Sequence, residues 1–289
     1  MTSLLVAGLA YLEVYVPPHE AVPPGQERFI DGIALGLGGA LNTASVAAAL
    51  GVPVTLCAPA GKGIADLALA AQAARLGITF APLPARDDPA ISLVFADAHD
   101  RAFVSSADFA ALEQVGQLPP AGWIFVPGLE EAARLAAPLA RARTLGARVA
   151  VSASWNEARL AQLAALRGTP WDLLVLNEKE AAAACGHADT APQLLAGAAS
   201  SVIVTMGPAG ARGTLGGSSF SAPAAPAAVV DTTGAGDAFC GGLLAALVRG
   251  LAPAAALHLA ARAAAIILEQ RGGMLSAPDR MAALAREIA

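Results

Sequence analysis

Asp231-Thr232-Thr233-Gly234-Ala235-Gly236-Asp237 runs without a break into Ala238-Phe239-Cys240-Gly241-Gly242-Leu243-Leu244. The second half reads as an apolar helix, opened by the small residues Gly234, Ala235 and Gly236. Backbone N–H groups at a helix start lack intrahelical acceptors and sit at the positive end of the helix dipole, so this turn reads as an anion site. Asp237 beside it is the anomaly. It would repel a phosphate unless a metal stands between them, or a hydroxyl whose proton the carboxylate takes. That pairing suits phosphoryl transfer, with amides steadying the moving group while Asp237 accepts the proton of an attacking alcohol. The plainer alternative is a tight glycine turn with an acidic residue in the first helical turn.

Outward from this segment, short β-rich runs alternate with Ala/Leu-rich helical runs. The strands expected are 4–7, 52–57, 123–126, 148–151, 173–176 and 202–205, and the helices are 41–50, 65–75, 130–143 and 157–166. Such alternation predicts an α/β fold with a mostly parallel sheet covered by helices on both faces. The 289 residues are 56% hydrophobic and 14% charged, with a mean hydropathy of +0.57. Alanine inflates that figure. The uncharged runs are interrupted by glycine, proline or polar residues, so no membrane span is expected. The first residues, Met1 to Gly8, lack a basic leader and read as a buried strand. Cys57, Cys185 and Cys240 have no metal-ligand spacing and read as reduced core thiols, which points to the cytoplasm. A net charge of −5 without a basic run argues against nucleic acid.

Asp-Thr-Thr-Gly-Ala-Gly-Asp-Ala-Phe followed by Gly-Gly resembles the C-terminal signature of the ribokinase-like, or phosphofructokinase-B, sugar kinases. Weaker motifs extend the likeness along the chain in the family's order. The resemblance implies a three-layer ribokinase-like fold, a single domain over residues 1–289, ATP with Mg²⁺ as phosphoryl donor, and a small sugar hydroxyl as acceptor. It makes Asp237 the general base and the amides of Gly234, Ala235 and Gly236 the anion hole.

Gly38-Gly39 with Asn42 resembles the family's N-terminal Gly-Gly…Asn motif, which implies an acceptor site. Alternatively the glycines merely precede a helix with Asn42 in its first turn. Glu13 stands where the family usually carries Asp, so the acceptor pocket is expected to differ in shape. Asn177 and Glu180 resemble the Asn-x-x-Glu motif that orients water around Mg²⁺, and the same residues read equally as a helix capping box. Thr205, Gly207 and Gly210 resemble the Thr-x-Gly strand end lining the nucleotide. Arg262 falls where the family often has Asn near adenine, and is otherwise an exposed helix residue. Asp231 and Thr233 offer oxygens to a monovalent cation such as K⁺, or else stabilise the turn. Asp66 matches a family Asp poorly and reads better as a helix-start residue.

Segments 11–34 and 89–105 break the alternation. By periodicity they are hairpins; by resemblance they form a small β-sheet lid over the acceptor, with Arg101 as a candidate contact and an apolar face suited to a homodimer. Two rival functions stand beside the sugar kinase. One is a nucleoside kinase with Tyr11, Tyr15 and Phe103 near the base; the other is a non-catalytic sugar-binding regulator.

Overall fold

Strand β1 (Leu4–Ala7) carries four buried side chains that alternate between two cores, Leu4 and Val6 facing one and Leu5 and Ala7 the other. A strand apolar on both faces belongs in the middle of a parallel sheet, and β1 lies there in this computed structural model, which describes residues 3–96 and 101–287. The other strands are β2 (Ala10–Val16), β3 (Ala34–Gly39), β4 (Val54–Ala60), β5 (Thr79–Pro84), β6 (Ala90–Ala96), β7 (Arg101–Ala107), β8 (Trp123–Val126), β9 (Arg148–Ser152), β10 (Leu173–Asn177), β11 (Val202–Thr205), β12 (Ala211–Leu215) and β13 (Ser218–Ala222).

Nine of them form one sheet in the order β13-β12-β11-β10-β9-β8-β1-β4-β5. Pairing is parallel from β5 to β11, and β12 and β13 close one edge antiparallel. Helices Ala40–Ala49, Ala235–Val248 and Pro253–Leu268 pack into one core, and helices Leu129–Arg134, Ala136–Thr144 and Glu157–Leu163 into the other. The architecture is therefore the expected helix-covered, mostly parallel sheet. No helix among the described residues is long and apolar enough to cross a membrane.

A separate four-stranded sheet has the order β3-β2-β6-β7, with β2 and β6 parallel and the outer pairs antiparallel. Strands β2, β6 and β7 come from the two segments that interrupt the alternation, but β3 lies almost wholly beyond the end of the first. Residues 17–33 contain Pro17, Pro18, Pro23 and Pro24 and form no strand, because proline removes a ladder donor. The pairing resumes at Ala34 and carries through Gly38-Gly39, which end β3 and lead directly into helix Ala40–Ala49.

The helix expected over 130–143 is divided at Leu135 into Leu129–Arg134 and Ala136–Thr144. Pro138 explains the break: it has no N–H to give the carbonyl of Arg134, and its ring would strike that carbonyl in a continuous helix. The strands β5, β12 and β13 are not expected from the sequence. β5 holds Pro82 and Pro84, and β13 is largely serine, so neither shows the apolar run of a buried strand.

Candidate active site

Gly241 and Gly242 explain how the opening signature reaches the rest of the chain. A Cβ on Gly241 would lie 2.8 Å from Val46 Cβ and 2.9 Å from the Thr43 carbonyl oxygen; one on Gly242 would lie 2.9 Å from Ala260 Cα. Helix Ala235–Val248 therefore wedges tightly between helices Ala40–Ala49 and Pro253–Leu268. That approach brings Asn42 against Asp237, its Nδ2 donating to Asp237 Oδ2 at 2.9 Å. Thr43 Oγ1 donates to the Asp237 carbonyl oxygen at 3.2 Å.

Asp237 is half-buried, and loss of water pushes its pKa up to about 6, against the lowering pull of the Asn42 bond and with a further push from Glu13. A carboxylate poised there is ionised at neutral pH yet basic enough to take a proton.

The turn before it is held by backbone contact. Gly234 has φ +74°, and a Cβ there would fall 2.5 Å from Gly273 Cα and 2.6 Å from its carbonyl oxygen. Only glycine fits. The first intrahelical bond runs from Ala238 N–H to the Gly234 carbonyl at 2.8 Å, so helix geometry leaves the Gly236 and Asp237 amides without an i−4 acceptor. The Ala235 amide differs from expectation in reaching the Thr232 carbonyl at 3.4 Å. Asp231 accepts from Thr233 N–H at 2.7 Å and from Gly272 N–H at 2.9 Å, which is the turn-stabilising alternative. Thr233 Oγ1 is buried without a hydrogen-bond partner among the described residues.

Glu13 lies on β2 and is 7% exposed. Its Oε2 accepts from the Tyr15 hydroxyl at 2.5 Å. A Cβ on Gly38 would fall 2.1 Å from Glu13 Oε1, so Gly38 makes room for this carboxylate. Gly39, at φ +65°, has the Leu9 carbonyl and the Tyr11 ring where a side chain would go. Arg101 begins β7, and its side chain lies outside the described residues, as does His99.

Asn177 and Glu180 form a reciprocal capping box, each accepting from the other's backbone N–H at 2.8 Å. Glu180 is buried, and desolvation raises its pKa, opposed by the Asn177 bonds and helped by the charge of Asp237. No group of three or more His, Cys, Asp or Glu side chains is assembled for a metal among the described residues. Thr205 ends β11 and its hydroxyl donates to the Leu176 carbonyl at 3.3 Å. Gly207 (φ +52°) stands in open space, whereas a Cβ on Gly210 would strike the Ala222 carbonyl at 2.1 Å. Arg262 pairs with Glu287 of the last helix at 2.5 Å, not with the residues around Asp237. Asp66 accepts from Gly63 N–H and Asp88 N–H at 2.9 and 3.0 Å, the role of a helix-start residue.

Three participants carry little signal in the sequence. Gly273 closes over Gly234 and Asn42, and its only signal is the Gly272-Gly273 pair. Tyr15 holds Glu13, legible only through the two-residue strand period. Glu131 is a buried carboxylate two residues into the helix after β8, and nothing in the sequence separates it from its neighbour Glu130.

A twisted, mostly parallel sheet with its catalytic-type residues at helix starts and strand ends, plus a small second sheet, defines an α/β phosphotransferase of the ribokinase-like kind. The profile of the pfkB family carbohydrate kinases matches residues 1–280, and the chain belongs to that family. No curated protein sequence matches it significantly. Among solved structures, adenosine kinase from Sinorhizobium meliloti superposes with a TM-score of 0.80 at 20% identity, covering 99% of each chain. Phosphofructokinase-2 from Escherichia coli, in complex with potassium, gives 0.77 at 22% identity over 99% of this chain and 98% of its own. Arabidopsis thaliana ribokinase, complexed with ribose and ATP, gives 0.72 at 20% identity over 98% of each. At these identities the likeness is one of fold. The family makes the chain a carbohydrate kinase, a phosphotransferase acting on a sugar-type hydroxyl.

Proposed function

We propose that this protein is an ATP- and Mg²⁺-dependent kinase of a small sugar or sugar-like compound, with Asp237 as general base. The observation that carries this reading is the Asn42–Asp237 contact beside the uncapped amides of a glycine-opened helix. Asn42 and Glu13 hold the acceptor. Asp237 takes its hydroxyl proton, and the amides of Gly234 and Gly236 steady the phosphoryl group. Bound ATP supplies that group and Mg²⁺ neutralises its charge, held through water by Glu180 and Asn177. Thr205 and Gly207 line the nucleotide, and the unpartnered Thr233 Oγ1 supports a monovalent cation beside the turn.

The whole chain acts as one domain, with the small sheet as lid. The tyrosines favour a sugar over a nucleoside: Tyr15 gives its hydroxyl to Glu13, and Tyr11 feels Glu13 and Glu131, so neither offers a bare apolar wall to a base. Three free cysteines support a reducing, cytoplasmic setting. Measuring ADP release with ATP–Mg²⁺ over hexoses, pentoses, sugar acids and nucleosides tests the assignment. Turnover is expected on a sugar; ligand binding with no turnover on any acceptor would make the protein a regulator instead.

The outer face of the small sheet supports a homodimer. Leu35, Val14, Leu93 and Val104 form one row across its four strands, with Leu35 70% and Val104 62% exposed. Such an apolar row seeks cover. Sedimentation should give a dimer that Leu93→Glu converts to monomer, and a monomeric wild type would dismiss the pairing.

A further inference from the structure

β9 lies between β8 and β10, so its C-terminal end stands mid-way along the edge where open α/β sheets receive ligands. Its last residue, Ser152, lies beside the Cys240 thiol, which also feels the charges of Asp237 and Glu180. The strand therefore ends near both the proposed base and the capping-box carboxylate.

The connection beyond β9 is pinned on two sides. Ala153 is fully buried; its carbonyl accepts from Leu129 N–H at 3.0 Å, and its own N–H donates to the Val175 carbonyl at 2.8 Å. Asn156 caps helix Glu157–Leu163, its Oδ1 accepting from Arg159 N–H at 3.1 Å. Between these anchors Ser154 adopts φ +54°, a left-handed conformation that is costly for any residue with a side chain. Next comes Trp155, 62% exposed, whereas Trp123 and Trp171 are 7% and 9% exposed. A single exposed apolar residue is ordinary. This one is held out by an anchored, strained loop at the ligand-receiving edge. Three residues of chain span at most about 10 Å, so the Trp155 backbone stays close to Ser152 and the groups around Cys240.

A sugar ring has hydroxyl edges and flat C–H faces, and its site needs polar groups for the first and an apolar surface for the second. Asn42 and Glu13 serve only the edges. The Tyr11 and Tyr15 rings are already packed on backbone: a Cβ on Gly39 would fall 2.8 Å from Tyr11 Cδ2, and one on Gly36 2.9 Å from Tyr15 Cε2. The indole of Trp155 is left largely uncovered.

We propose that Trp155 is a further acceptor-binding residue, its indole stacking on the C–H face of the sugar. This rests on the kinase reading above and adds an aromatic contact that selects for acceptors with a flat apolar face.

The test takes whichever sugar of the ADP-release panel is turned over fastest, with ATP–Mg²⁺ as donor. In Trp155→Ala the KM for that sugar should rise at least about tenfold, with kcat and the KM for ATP within about twofold of wild type. Trp155→Phe keeps a ring and should recover most of the affinity, which a residue that only shaped the loop would not require. If the alanine variant does not fold, the wild type still decides. The same sugar, added without nucleotide, should shift tryptophan emission to the blue and shield it from acrylamide, because the other two tryptophans are buried already. An unchanged KM in folded Trp155→Ala, or emission and quenching untouched by a sugar that is turned over, would overturn the contact and leave the kinase standing. A response to a non-hydrolysable ATP analogue with Mg²⁺, and none to the sugar, would assign the indole to the donor and overturn it equally. ADP release with no sugar of the panel removes the sugar-kinase reading and this contact together.

Discussion

Asp237→Asn lowers kcat by about 10² to 10⁴ while the protein folds as well as before. The amide keeps the shape and can still meet Asn42 after a flip, but it cannot take a proton. Stability should hold or rise at pH 8. Asp237 has a folded-state pKa of about 6, above the ordinary aspartate value of 3.8. A raised carboxylate pKa means stability is fullest below the unfolded value and is lost as pH rises through the folded one. Removing the charge removes that loss. In the wild type, kcat/KM should fall on the acid side with an apparent pKa near 6, because only the ionised base works. Steady-state kinetics across pH, with thermal melts of both proteins, check all of this. Near-wild-type turnover in Asp237→Asn would end the base assignment.

Gly234→Ala should cost at least about 2 kcal/mol of stability, since φ > 0 strains any side chain and the new methyl meets a neighbouring backbone. Gly273 Cα lies only 2.5 Å from where that methyl carbon would stand, so the two loops must part. The amides then leave the place where the phosphoryl group would sit, and a displacement of about 1 Å costs roughly 100-fold in rate. Gly236→Ala is the control: a Cβ there meets nothing within 4 Å, so folding should be unaffected. Chemical denaturation and kcat/KM for the two variants separate strain at the turn from crowding of the ligand. An unstrained, active Gly234→Ala would show that the turn does not depend on this contact.

The central sheet was legible because its strands are short, apolar and separated by helical stretches. Leu4–Ala7, Trp123–Val126 and Val202–Thr205 stand where the pattern puts them. The edges were not: β5 is interrupted by prolines, β13 buries none of its five residues, and β12 buries Ala211, Gly213 and Leu215 in alternation, too little apolar bulk to stand out in the sequence. Near the site, residues that act through the backbone were the hidden ones. Gly273 matters by what it lacks, and Gly38 makes room for the protein's own Glu13, a pairing that a linear reading separates by 25 residues' worth of loop and strand. Arg262, whose position by counting suggested the nucleotide, pairs in the structure with Glu287 on the last helix, a partner no local pattern announces. Asn177 and Glu180 read the same either way, since a capping box and a water-holding pair use one geometry.

The hydrogen bond between Asn42 and Asp237 joins residues 195 positions apart in the chain. During synthesis the early strands and helix Ala40–Ala49 emerge long before the segment that completes them. Until then one apolar surface of the nascent sheet stays partly bare, because helices Ala235–Val248 and Pro253–Leu268 supply much of its cover. With Asp237 in the proposed role, a growing or prematurely stopped chain cannot consume nucleotide: a fragment ending before it has no proton acceptor, and chemistry switches on only late in translation.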